Sequence, residues 1–170
     1  MGSYDFGKAE VCAWIRAHFP PDSTILDVGA CDGKWRRLLK EYENMDAIDA
    51  FKPNTDRLRL LWYRNVYLGD VMDFRFEHYD LILLGDVLEH LTVPDAQALL
   101  RYCAPRCRDM VISVPFLYEQ DAIYGNPYEV HRQADLTAEL FEERYPGYRI
   151  LWGPEQDYCY YHKGDGHGGD

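Results

Sequence analysis

A short stretch near the start of the chain, residues 25–35, has the residue types of a cofactor-binding loop. An apolar run leads to Asp27, Gly29 and Gly33 follow, and a helical pattern begins directly after them. Glycine lets the backbone approach a ligand closely, and a helix N-terminus offers N–H groups that have no partner within the helix. The stretch therefore predicts a loop that binds a nucleotide-like cofactor.

Three kinds of loop compete for this stretch, and residue spacing separates them. A Walker-type phosphate loop needs Lys followed by Ser or Thr, whereas Trp35 follows Lys34. The dinucleotide fingerprint needs three glycines, and Cys31 and Lys34 occupy two of those positions, which weakens an NAD-binding oxidoreductase without removing it. The remaining alternative is an S-adenosylmethionine loop, which begins with an acid and tolerates other residues in the middle.

Three further signals follow along the chain in a fixed order. Asp49 ends a short apolar strand at residues 45–49, where a carboxylate can accept both ribose hydroxyls. Asp70 follows the next strand, Asn65–Leu68, and can accept from an adenine amino group. Tyr79–Leu84 is a continuous apolar run, which is typical of a parallel strand buried on both faces, and a Gly-Asp-Val-Leu-Glu-His block follows it.

In this order the signals resemble the class I S-adenosylmethionine-dependent methyltransferases, over residues from about 24 to 161. The resemblance implies an enzyme that moves a methyl group from S-adenosyl-L-methionine to an oxygen or nitrogen of a small molecule or sugar, leaving S-adenosyl-L-homocysteine. Cys31 departs from the family pattern, which often has Gly there. The residues expected to bind the cofactor are Asp27, Gly29, Ala30, Cys31, Gly33, Asp49, Ala50, Phe51, Gly69, Asp70, Val71, Gly85, Asp86 and Val87.

The alternation of strand and helix patterns predicts an α/β fold. We expect a Rossmann-like, doubly wound sheet of seven mostly parallel strands, with an antiparallel terminal hairpin and helices on both faces. The predicted organisation is a single domain over residues 1–163 and a flexible tail at 164–170. Helices are predicted at 5–19, 33–41, 53–63, 94–103 and 135–144, and the last three strands at 109–114, 148–152 and 158–161.

Three residues are candidates for the acceptor side: His90, His131 and Glu89. A hydroxyl acceptor must lose its proton, and His is the natural base near neutral pH. His131 lies in a polar, aromatic loop that is longer than compact packing needs, so that loop is a candidate for binding the acceptor.

Asp86-x-x-Glu89-His90 together with His131 also resembles the metal-binding set of small-RNA 3′-terminal 2′-O-methyltransferases, with Asp in place of the first Glu. Similar short motifs occur in metal-free relatives. We assign no metal ligand from the sequence, and we keep a metal-assisted 2′-O-methyltransferase of RNA ends as an alternative.

Composition limits the partners. The formal net charge of −11 disfavours nucleic acid, because phosphate contacts need clustered Lys and Arg. No run of 18 apolar residues and no signal-peptide pattern occurs, so we expect a cytoplasmic protein, a monomer or homodimer, with no membrane contact. The five cysteines predict reduced thiols. A cofactor-binding module without catalysis remains open, because a fold does not define an activity.

Overall fold

The computed structural model of the chain describes residues 5–154 and 157–164. Its seven strands are β1 Ile25–Val28, β2 Met45–Asp49, β3 Asn65–Leu68, β4 Tyr79–Gly85, β5 Cys107–Pro115, β6 Arg149–Trp152 and β7 Tyr158–His162. They form one sheet in the order β3-β2-β1-β4-β5-β7-β6. Strands β1 to β5 pair in parallel, whereas β7 is antiparallel to both β5 and β6.

The α-helices of the described residues are α1 Lys8–His18, α2 Lys34–Leu38, α3 Lys52–Leu58, α4 Val93–Cys103 and α5 Ala138–Arg144. Short 3₁₀ turns lie at Leu88–His90, Ala104–Arg106 and Pro127–Glu129. Within these residues, no helix has the length and apolar character that crossing a membrane requires.

The two faces of the sheet carry separate cores, as the continuous apolar run of β4 predicts. Leu81 and Leu83 pack on the face that α1 covers, and Ile82 and Leu84 pack on the face that α4 and α5 cover. All four side chains are fully buried. The predicted Rossmann-like, doubly wound sheet with an antiparallel terminal hairpin is confirmed.

The strand order reverses between β1 and β4, since β2 and β3 lie on one side of β1 while β4 and β5 lie on the other. In doubly wound sheets, ligands bind in the crevice that this reversal opens at the carboxyl ends of the strands. The fold therefore brings together the loops that follow β1, β2 and β4.

Four predicted helices are longer than those observed. The helices predicted at 5–19 and 135–144 begin later, at Lys8 and Ala138, and the first ends at His18. The helix predicted at 53–63 ends at Leu58, because the following turn directs Leu61 and Tyr63 beneath the loop after β1. The helix predicted at 33–41 spans only Lys34–Leu38. Residues 165–170 of the predicted tail lie outside the described residues.

Candidate functional site

A cleft of about 560 Å³ opens at the carboxyl ends of β1, β2 and β4. This volume is within the range of small-molecule sites. The residues expected to bind the cofactor line this cleft, apart from Gly33 and Phe51. Those that line it are Asp27, Gly29, Ala30, Cys31, Asp49, Ala50, Gly69, Asp70, Val71, Gly85, Asp86 and Val87.

Gly33 and Phe51 lie elsewhere. Gly33 caps α2 with a φ of 75°, and a Cβ there would lie 2.2 Å from Cδ1 of Leu61, so this glycine lets the loop after β1 pack on the chain that follows α3. Phe51, expected against the adenine, lines a neighbouring pocket of about 370 Å³ together with Arg57 and Tyr124.

Asp49 braces the loop after β1 against the start of α3. Its carboxylate accepts hydrogen bonds from the backbone N–H of Cys31 at 2.9 Å and of Phe51 at 2.8 Å, and from the side-chain amide of Asn54 at 3.1 and 3.2 Å. Only 7% of the residue is exposed. Asp49, which the sequence predicts as the ribose contact, therefore also fixes the conformation of the loop after β1.

Two further carboxylates lie at the β1–β4 side of the cleft. Asp27 is 1% exposed and accepts a 2.5 Å hydrogen bond from the hydroxyl of Tyr63, and burial raises its pKa to about 7 against the opposing effect of that bond. Asp86 is partly buried, adopts a φ of 55° and accepts from the hydroxyls of Tyr158 and Ser113. Desolvation also raises the pKa of Asp86. A positive φ at a non-glycine residue that lines a cleft is typical of a functional site.

Lys8 of α1 supplies a cation next to these carboxylates. Its ammonium donates to the hydroxyl of Tyr160 at 3.2 Å and lies 4.1 Å from the ring centroid of Trp35. Burial lowers the pKa of Lys8 to about 8, and the charges of Asp86 and Asp27 oppose that shift. Lys8 is only 3% exposed, although lysine is rarely buried without a partner.

Sequence reasoning missed Lys8, although a signal was present. Lys8 precedes Val11, Cys12 and Ile15 at helical spacing, so a charged residue lies on the apolar stripe of α1. A lysine on such a stripe indicates that negative charge lies nearby in the folded protein. In the structure, Asp86 and Asp27 supply that charge.

Glu89, His90 and His131 converge at the same cleft, and their potential ligand atoms all lie within 4.8 Å of one another. Glu89 is 1% exposed, and neither of its carboxylate oxygens has a hydrogen-bond partner among the described residues. Burial and the nearby charge of Asp86 raise the pKa of Glu89 well above its usual value.

Backbone hydrogen bonds determine which ring nitrogen of each histidine faces Glu89. Nδ1 of His90 lies 3.2 Å from the carbonyl of Val130, and Nδ1 of His131 lies 2.7 Å from the carbonyl of Tyr118. Because a carbonyl only accepts, Nδ1 carries the hydrogen in both rings, which leaves a lone pair on each Nε2. Burial lowers the pKa of His90 to about 4 and also lowers that of His131, so both rings are neutral near pH 7.

Gln133, a second residue that sequence reasoning missed, ties the His131 loop to the turn after β4. Its side-chain amide donates to the carbonyls of Leu88 at 2.8 Å and Leu91 at 3.0 Å, and its backbone N–H donates to the carbonyl of Glu89 at 3.0 Å. These bonds hold the two histidines in one place. No sequence signal pointed to them, because they join segments about 45 residues apart.

The structure groups three of the four residues in the metal-like sequence motif. Asp86 does not belong to the group formed by Glu89, His90 and His131 among the described residues. Its carboxylate is instead directed to Tyr158 and Ser113, because the positive φ of Asp86 turns its side chain away from the 3₁₀ turn.

Comparison with known proteins gives matches among solved structures. An S-adenosylmethionine-dependent methyltransferase from Clostridium acetobutylicum has a TM-score of 0.69 at 12% identity, over 94% of this chain and 91% of that one. The methyltransferase domain of bacterial CtHen1-CN has a TM-score of 0.63 at 18% identity, over 91% and 95%. The pyocyanin biosynthetic protein PhzM has a TM-score of 0.60 at 15% identity, over 91% of this chain and 54% of PhzM.

The chain thus spans about half the length of PhzM and nearly all of the other two proteins. No protein-family model and no curated protein sequence matches it. At these identities the likeness concerns the fold, and it agrees with the strand order and the position of the cleft. The chain has the fold of the class I S-adenosylmethionine-dependent methyltransferases.

Proposed function

We propose that the chain is a methyltransferase that uses S-adenosyl-L-methionine and methylates an oxygen or nitrogen of a small molecule or sugar. The observation that carries the proposal is one cleft lined both by the braced Asp49 loop and by the Glu89–His90–His131 cluster. Solved methyltransferases with the same fold support it.

The strand order supports one orientation of the cofactor. Asp49 ends β2 and Asp70 follows β3, which supports an arrangement with the ribose and the adenine at that side of the cleft. The methionine part then extends toward β1 and β4, where Asp27 and Asp86 line the cleft. A carboxylate at this end suits the cofactor's ammonium group, and the sulfonium carries a further positive charge.

The cluster suits an acceptor hydroxyl because Nε2 of each histidine offers a lone pair. In the transfer step, the acceptor oxygen forms a bond to the methyl carbon, and the carbon–sulfur bond breaks with its electron pair moving to sulfur. The hydroxyl proton passes to Nε2 of a neutral histidine. Holding the acceptor in line and excluding water supply much of the rate enhancement.

The acceptor side of the cleft favours a small molecule. Tyr118 and Tyr128 offer aromatic faces there, and Thr92 and Asp95 add polar groups. The overall charge of −11 repels a polyanion. We therefore place a neutral or cationic metabolite or a sugar, rather than a nucleic acid, opposite the methyl donor.

The test is transfer of labelled methyl from S-adenosyl-L-methionine to a fractionated pool of small metabolites and sugars. We expect one fraction to gain label with the native protein and not with the Asp49→Ala variant. If S-adenosyl-L-homocysteine binds but no acceptor gains label, the cofactor-binding module without catalysis gains support instead.

One observation favours a second candidate, the metal-assisted 2′-O-methyltransferase of RNA ends. A buried carboxylate with no hydrogen-bond partner in the described part of the chain lies near two imidazole lone pairs, and one carboxylate with two imidazoles suits divalent ions such as Mn²⁺ or Zn²⁺. Glu89, His90 and His131 would hold the ion, and their Nδ1–H bonds to backbone carbonyls are the usual support of metal-binding histidines. A bound ion would polarise the acceptor hydroxyl and lower its pKa.

Calorimetric titration with Mn²⁺ and Mg²⁺ separates the two candidates. The metal-assisted candidate expects binding that Glu89→Gln abolishes, together with transfer to RNA ends that a chelator blocks. The absence of binding at about 1 mM metal would exclude it, because a site that uses the metal must be filled under working conditions.

A further inference from the structure

We infer that Lys8 sets the charge balance at the methyl-donor end of the cleft and thereby reduces the preference for positively charged S-adenosylmethionine over neutral-sulfur S-adenosylhomocysteine. This inference rests on the proposed function. It assigns a positioning role to α1, a helix whose apolar residues pack in the core.

The contacts of Lys8 place its ammonium behind a residue that lines the cleft, although Lys8 itself does not line it. Its Nζ lies 4.1 Å from the ring centroid of Trp35, a residue that lines the cleft, and donates to the hydroxyl of Tyr160. Tyr160 in turn stacks edge-on with Tyr158, whose hydroxyl donates to Asp86. Lys8 is therefore joined to the Asp86 carboxylate through two adjacent β7 side chains.

Burial of this lysine requires a reason. An ammonium with one described hydrogen-bond acceptor and 3% exposure costs free energy unless nearby negative charge offsets it. The offset comes from two carboxylates at the same edge of the sheet, Asp86 after β4 and the buried Asp27 in β1, whose negative charge favours the ammonium of Lys8. Lys8 in turn reduces the negative potential that these two acids create at this end of the cleft.

The cofactor brings a further positive charge to this end of the cleft. The ammonium and carboxylate of its methionine part cancel, so the sulfonium supplies the one remaining positive charge. Methyl transfer removes that charge from sulfur. A fixed cation nearby opposes binding of the sulfonium but favours its conversion to the neutral thioether, whereas the two acids alone would bind the sulfonium tightly and resist that conversion.

The experiment compares the dissociation constants of S-adenosylmethionine and S-adenosylhomocysteine by calorimetry, for the native protein and for the variants Lys8→Met and Lys8→Gln. Gln keeps a donor for Tyr160 without the charge, so two independent neutral variants are available if one fails to fold. The control is Lys163→Met. Lys163 donates to the carbonyls of Ala104 and Cys107, which lie at the start of β5 and therefore at the edge of the sheet away from the cleft.

We expect the ratio of the two constants, S-adenosylmethionine over S-adenosylhomocysteine, to fall about tenfold in both Lys8 variants, which is the scale of a unit charge acting in a partly buried site. The control should leave the ratio unchanged. A ratio that stays constant in the Lys8 variants overturns the inference. Failure of the native protein to bind either compound overturns the proposed function instead.

Discussion

Replacing Asp49 with Asn tests the dual role of this carboxylate, as the brace of the loop after β1 and as the ribose contact. The side chain accepts from three groups, the N–H of Cys31, the N–H of Phe51 and the amide of Asn54. An amide replaces one acceptor oxygen by a donor, which leaves a mismatched N–H in a buried place. Hydrogen bonds to a charged group contribute about 1.5–3 kcal/mol each, so we expect a loss of about 2 kcal/mol in the free energy of unfolding. That loss lowers the melting temperature by about 4–8 °C.

The same change weakens cofactor binding, since the ribose hydroxyls lose a charged acceptor. A loss of about 2 kcal/mol raises the dissociation constant of S-adenosylhomocysteine about 30-fold, as measured by calorimetry. The matched control is Asp46→Asn on the same strand. Asp46 is equally buried and accepts from Arg64 and Tyr79 but does not line the cleft, so its loss should lower stability alone. Equal affinity in the Asp49 and Asp46 variants would refute the assigned role.

Three further predictions concern the loop and the cluster. Gly33→Ala should lower the melting temperature measured by circular dichroism, because the new Cβ meets Leu61 at 2.2 Å and the backbone φ is 75°. The control Gly125→Ala should lower the melting temperature less, because φ is also positive there but nothing lies within 4 Å of the new Cβ. Asp27→Asn should raise the free energy of unfolding, measured with urea, above that of the native protein at pH 8 but not at pH 4. The reason is that the pKa of Asp27 in the folded protein, about 7, lies above its value in the unfolded chain. The native carboxyl therefore destabilises the folded protein as the pH rises through 7. An equal effect at both pH values contradicts the buried-acid assignment. His131→Ala should lower the rate of labelled methyl transfer about 100-fold while leaving calorimetric binding of S-adenosylhomocysteine unchanged, and a parallel loss of binding would contradict its place on the acceptor side.

The sequence predicted the fold well because its signals are local. Short strand patterns mark the parallel strands, and their order along the chain determines which carboxylates meet at one edge of the sheet. Asp49 and Asp70, predicted at the carboxyl ends of neighbouring strands, both line the cleft, and their contact with a cofactor stays a prediction.

The contacts that the sequence could not predict are long-range. Lys8 meets Tyr160 across 152 residues, and Asp86 meets Tyr158 across 72. Neither partner has a type or spacing that identifies it in advance among fourteen tyrosines. The end of α3 was also missed, because the chain there follows the packing of Leu61 beneath the glycine loop rather than its own helical propensity.

The melting temperature of the purified protein in the presence of S-adenosyl-L-homocysteine tests the central claim, a cleft built for this cofactor, most directly. A ligand that binds only the native state stabilises it by about 2.7 kcal/mol at 100 times its dissociation constant. For a chain of this size we expect a rise of about 5–10 °C at about 1 mM ligand, and no rise with NADH. A shift with NADH and none with S-adenosyl-L-homocysteine would contradict the account and favour an oxidoreductase.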